Sequence, residues 1–164
     1  MTPATGGPSE VQPHDPAWVD AGIIDLDHVG IAVRDLAEAE REYGRAFGLA
    51  PVHRERVESQ GVDEVLFRIG TSYIQLLGPL GPQTPVGRFL ERRGEGVHHI
   101  AYRVRDVAET IERLRRHEVP LVDLAPRPGS RGTLVAFAHP RGFRGVLVEL
   151  VQERPAGERT HSGA

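Results

Sequence analysis

The sequence predicts an α+β fold built from two tandem βαβββ modules, and three observations carry that prediction. The first is an internal repeat. DHVGIAVRDLAEAEREY at 27–43 aligns without gaps on HHIAYRVRDVAETIERL at 98–114, 71 residues further on. Six pairs are identical: His28/His99, Val33/Val104, Arg34/Arg105, Asp35/Asp106, Ala37/Ala108 and Glu38/Glu109. The second is a change of period halfway through each copy, from strand-like alternation to a helical stripe. The third is that three short strand-like runs, separated by turn residues, follow each copy.

The elements follow in order. Residues 1–22 hold four prolines and no apolar periodicity, and read as a disordered arm; 153–164 read as a disordered tail. One domain is expected over 23–152, as modules 23–80 and 95–152 joined by a linking helix at 85–93. In the first strand Val29, Ile31 and Val33 face one way and His28, Gly30 and Ala32 the other. Ile100, Tyr102 and Val104 repeat the bulky face in the second copy, with His99, Ala101 and Arg103 opposite. The helices open on Asp35-x-x-Glu38 and Asp106-x-x-Glu109, where each side chain can satisfy a free backbone donor. Leu36, Ala39, Tyr43, Ala46 and Phe47 form one buried stripe; Val107, Ile111 and Leu114 form the other. Gly48 and Pro120 mark the expected stops. Strands are predicted at 50–57, 62–69 and 73–78, with a tight Gly70-Thr71-Ser72 hairpin, and again at 119–124, 132–138 and 145–151.

Composition narrows the function classes. The chain has 164 residues and a net charge of −3, with arginine as its only basic residue besides histidine, so it is no simple basic nucleic-acid binder. It has no cysteine, which excludes thiol nucleophiles and thiolate-bound zinc. The longest apolar runs are far short of the ~18 residues a membrane span needs, and the start lacks a signal-peptide core. A cytoplasmic protein is expected.

Superimposing the two copies places four polar residues at matching points inside apolar strands: His28, Gln75, His99 and Glu149. Gln75 interrupts SYIQLLG and Glu149 interrupts VLVELVQ, each in the last strand of its module. A single such residue is most often satisfied by neighbouring backbone. Four at symmetric places converge if the modules pair around one cavity, and the small Gly30, Ala32 and Ala101 beside the histidines leave room there. Two imidazoles, an amide and a carboxylate suit a divalent metal with open positions. Strand parity puts His99 with His28, and assigns His98 to packing or to support of a ligand. Glu64 reads by pattern alone as an exposed strand carboxylate, because carboxylates are seldom buried without a partner.

The doubled βαβββ order with this residue set resembles the vicinal oxygen chelate superfamily. DHVGIAV, HRERVESQGVDE, IQLLGPL, GRFLERRGEGVHHIAYRV, PRPGSRGTLVAFAHP and GVLVEL are most similar to the methylmalonyl-CoA epimerase family. The resemblance implies one curved, barrel-like mixed sheet around a metal cavity, with His28, Gln75, His99 and Glu149 as the metal set. It implies one divalent ion (Co, Ni, Mn or Zn) as cofactor, an acyl-CoA substrate, and a homodimer. It also moves Glu64 into the cavity as an acid/base, with Glu149 as the second. The reaction implied is inversion at C2 of methylmalonyl-CoA by 1,1-proton transfer. Gly78 stands where family members commonly carry glutamate, and Arg92 and Arg141 where lysine is frequent, which keeps other 2-substituted malonyl thioesters in view. A glyoxalase I-type lactoylthioester lyase and a non-catalytic drug-binding protein of the same fold are the alternatives.

Overall fold

The computed structural model describes residues 22–153, so the predicted arm and tail lie almost wholly outside the described residues. The elements are β1 (Ile23–Ala32), α1 (Leu36–Phe47), β2 (Pro51–Val57), β3 (Val62–Ile69), β4 (Ser72–Pro79), α2 (Pro85–Arg93), β5 (Gly96–Val104), α3 (Val107–Arg116), β6 (Arg127–Pro128), β7 (Leu134–Ala138) and β8 (Leu147–Gln152). They form one eight-stranded mixed sheet in the order β2-β3-β4-β1-β5-β8-β7-β6. Its two halves mirror the repeat. Each module's first strand runs parallel to its last, β1 to β4 and β5 to β8, and the two first strands meet antiparallel at the centre.

Local chemistry sets the element ends. Asp35 and Asp106 accept hydrogen bonds from the amides of Glu38 and Glu109, so both predicted boxes cap their helices from the aspartate side. Gly48 closes α1 in the left-handed conformation, with φ of 65°. The helix α3 ends earlier than Pro120 suggested: its cap is His117, and Glu118 turns the chain at φ 55°. Gly70 and Thr71 join β3 to β4 as a two-residue turn.

One face of the sheet is covered by helices. Leu36, Ala39 and Tyr43 of α1 pack with Val33, Val65, Phe67 and Leu76, and Val107 and Ile111 of α3 pack with Val104, Ala136, Val148 and Leu150. Ala46 and Phe47, which periodicity placed in the α1 stripe, are exposed, so the stripe ends at Tyr43. Burying one large aliphatic or aromatic side chain contributes ~1.5–3 kcal/mol, and the buried members carry much of the fold's stability. Gly78 belongs to this covered face, because a Cβ there would meet Leu36 Cβ at 3.0 Å. Its glycine therefore seats α1 and does not border the cavity. The helix α2 packs Val86 and Leu90 against Ala32, Val57, Val62 and Leu77 and closes one end of the other, concave face.

One predicted strand is not formed. Residues 119–124 make only an isolated bridge, Leu121 to Ala138, and the sheet edge is instead the two-residue β6. The Pro120 carbonyl accepts from the His139 amide, and the amides of Val122 and Asp123 both donate to the Phe137 carbonyl. The Phe137 amide, however, donates to Asp123 Oδ2 at 2.9 Å, so a side chain stands where a backbone carbonyl would continue the ladder.

Candidate active site

The register of the four central strands decides what the concave face presents. Gly30 lies beside His99 on β5 and beside Gln75 on β4, and Ala101 lies beside His28 on β1 and Glu149 on β8. The four polar residues are therefore neighbours on one face, all buried. His28 Nε2, His99 Nε2 and Glu149 Oε2 stand 3.0 Å from one another. Gly30 makes this possible: a Cβ at that position would lie 2.4 Å from His99 Cε1, inside the space the imidazole occupies.

Each histidine is oriented from behind. His28 Nδ1 is 2.7 Å from Asp27 Oδ1, and His99 Nδ1 is 3.0 Å from His98 Nδ1. Asp27 and His98 are equivalent positions of the repeat. Asp27 is fully buried and receives Arg103 Nε at 3.1 Å and an Arg131 terminal nitrogen at 2.6 Å. Burial alone would raise its pKa, but His28 and the two guanidinium groups outweigh that and hold it below the usual carboxylate range. Burial opposes charge on His28 too, yet the carboxylates of Asp27 and Glu149 push its pKa up to about 9. Glu149 is held well below the ordinary range, burial being overcome by both histidines. His99 is pushed down by burial, and His98 down to about 4 by burial and the adjacent His99.

The donor set fits a divalent ion. A separation of 3.0 Å is the spacing of adjacent vertices around an octahedral ion with bonds of ~2.1 Å. Gln75 supplies a further oxygen: its Oε1 is buried without a hydrogen-bond partner, while its Nε2 donates to Glu64 Oε2 at 2.7 Å. The two carboxylates that favour a proton on His28 favour a cation in that proton's place.

Glu64 is the fifth residue of the constellation. The pattern reading that exposed it does not hold: it is 2% accessible and lies on the concave face, beside Leu77 of β4 and Glu55 of β2. Gln75 and Ser130 are the neighbours that permit Glu64 to be buried. Its Oε1 accepts no hydrogen bond, and burial raises its pKa, with Ser130 and Gln75 pulling the other way. Sequence reasoning missed the groups around it. His53 Nε2 lies 3.9 Å from Glu64 Oε1 and 2.8 Å from Glu55 Oε2, which also accepts from the Arg131 amide at 3.0 Å. Alternation along HRERVES offered a signal for His53 and Glu55, since they share parity in β2; Arg131 offered none. Asp27 was legible as the residue aligned with His98.

A cleft of about 290 Å³ opens over His98 and His99, walled by Val62, Leu77, Val86 and Phe137. A second groove of about 510 Å³ adjoins it at His98 and is edged by Arg88, Arg92 and Arg93.

A family model described as glyoxalase/bleomycin resistance protein/dioxygenase superfamily matches residues 27–137. The chain belongs to this superfamily. It is 36% identical over 129 residues to the ethylmalonyl-CoA/methylmalonyl-CoA epimerase of Cereibacter sphaeroides, covering 77% of this chain and 96% of that one. The crystal structure of methylmalonyl-CoA epimerase from Mycobacterium tuberculosis superposes with a TM-score of 0.79 at 38% identity, covering 82% of this chain and 91% of that one. A methylmalonyl-CoA epimerase in complex with methylmalonyl-CoA and NH4+ does so with a TM-score of 0.78 at 39% identity, covering 80% and 95%. Among the described residues no helix is long and apolar enough to cross a membrane.

Proposed function

We propose that this protein is a metal-dependent epimerase that inverts C2 of methylmalonyl-CoA, or of a closely related 2-substituted malonyl thioester, by 1,1-proton transfer. The observation that carries the reading is a second buried carboxylate, Glu64, beside the His28–His99–Glu149 donor cluster, in a chain whose relatives bear that name.

His28, Gln75, His99 and Glu149 would hold a divalent ion of the cobalt, nickel, manganese or zinc kind, which would supply positive charge to a developing enolate oxygen. The chain's own residues do the rest. Gln75 binds Glu64 through its amide NH₂ and leaves Glu64 Oε1 free toward the substrate. Burial makes Glu64 a stronger base than an exposed glutamate, which suits removal of a weakly acidic α-proton. Glu149 is assigned the acid/base role on the opposite face, in addition to its role as a ligand; since both histidines hold it ionised, the proton it passes on comes to it from solvent during the turnover. Val62, Leu77 and Val86 exclude water from the small acyl end, and Arg88, Arg92 and Arg93 suit the phosphates of a CoA chain. The same reading makes 23–152 one domain, acting in the cytoplasm as a homodimer.

Proton NMR of methylmalonyl-CoA in deuterated water with the metal-loaded protein tests it. Deuterium entering C2 together with racemisation is expected; no exchange over hours refutes the reading. Glu64→Gln is expected to keep the metal and lose the exchange.

A further inference from the structure

We infer that His53, held by Glu55, is the relay through which Glu64 exchanges its proton with solvent. The inference rests on the epimerase reading. A proton taken by Glu64 from one face of the substrate, with another delivered to the opposite face, leaves Glu64 protonated. Before it acts again in the same sense, that proton must leave. Glu64 has little direct access to water: it is 2% accessible, and its Oε2 is engaged by Gln75. Its Oε1 has no hydrogen-bond partner, and His53 Nε2 lies 3.9 Å away, one bridging water or a small ring rotation from contact.

His53 and Glu55 reach the outside, with side chains 32% and 36% exposed. The ring is anchored at its inner end. Its Nε2 is 2.8 Å from Glu55 Oε2, and that oxygen is tied to the opposite module by the Arg131 amide at 3.0 Å. The proton balance closes. A ring carrying hydrogen on Nδ1 and turned from Glu55 takes the Glu64 Oε1 proton on its free Nε2 lone pair, and the Nε2–H so formed swings back to the Glu55 carboxylate. The Nδ1 proton then leaves to water, and the ring that remains donates from Nε2 to Glu55, the contact present in the structure. Tautomer exchange with solvent restores the starting state. Glu64 ends as a carboxylate and one proton has reached the solvent.

The test compares His53→Ala with the unmodified, metal-loaded protein on methylmalonyl-CoA, at low buffer concentration. With enzyme in excess, one inversion needs no reset, so the single-turnover rate is expected to stay within about twofold. The steady-state rate is expected to fall by about tenfold or more, and added imidazole to restore it. Glu55→Gln, which keeps the packing and removes the charge, is expected to slow the steady state in the same sense and by less. An unchanged steady-state rate in His53→Ala overturns the relay. So does an equal fall in both regimes without imidazole rescue, which marks a purely structural role. If the unmodified protein neither racemises nor exchanges C2, the epimerase reading itself fails. Racemisation by that protein with indifference to His53 defeats the relay alone.

Discussion

Gly30→Ala is the sharpest test of how the site is packed. In a strand interior, alanine ordinarily gains about 0.5–1 kcal/mol over glycine through backbone entropy. Here the added Cβ would sit 2.4 Å from His99 Cε1, 2.7 Å from Nδ1 and 2.8 Å from Nε2. Ordinary contact is roughly 3.4–4 Å, so the ring must move by about 1 Å. His28, His98, Glu149 and Phe137 hem it in, so the ring can yield only toward the cleft and away from its partners. Overpacking of this kind costs ~1–3 kcal/mol, more than the entropic gain, and the net sign is a loss. Tilting His99 also pulls its Nε2 out of the donor triangle. Urea unfolding of the metal-free protein is expected to show a lower midpoint, and calorimetric titration with cobalt an affinity weaker by about tenfold or more. A variant as stable as the parent, with unchanged cobalt affinity, refutes this account of why the position is glycine.

Asp27→Asn leaves the shape but removes the charge that orients His28 and pairs with Arg103 and Arg131; metal affinity, read by titration calorimetry, is expected to fall by about 10–100-fold. His98→Ala removes only the group behind His99, so metal analysis after dialysis should still find the ion bound, with a smaller loss of affinity. Chelation is expected to lower the thermal midpoint, because an ion that binds only the folded chain stabilises it by ~2.7 kcal/mol at 100 times Kd. Asp63 is held below the usual carboxylate range by Arg56, so its contribution is present above the unfolded pKa and fades as pH falls through the folded one. The urea midpoint of Asp63→Asn should therefore lie slightly below the parent's at pH 7 and merge with it once the folded-state carboxyl is protonated in acid, the difference shrinking in high salt.

The repeat made the architecture legible, because two copies of one pattern must use one packing solution twice. It also brought His28, Gln75, His99 and Glu149 to matching points, and the strand register places them side by side. Alternation failed at Glu64, since in a sheet covered by helices on one face and curled on the other both parities are buried; the cross-strand Gln75, with Ser130, makes that carboxylate tolerable. It failed again at 119–124, where β-rich composition suggested a strand but the Asp123 side chain accepts the Phe137 amide in place of a backbone carbonyl. Arg131 was beyond reach for another reason. It joins Asp27 and Glu55 from 104 and 76 residues away, a proximity set by closure of the two modules and not by local pattern.

The two halves of the seam are near-copies, yet they end differently: the first offers the amide of Gln75, the second the carboxylate of Glu149. That single mismatch sets the electrical character of the centre. Two carboxylates would cancel a divalent ion and leave nothing to attract an anionic guest; two amides would leave it doubly positive and hard to leave. With a divalent ion held there, as proposed, one of each would leave a single unit of positive charge facing the cleft, which perfect internal symmetry could not provide.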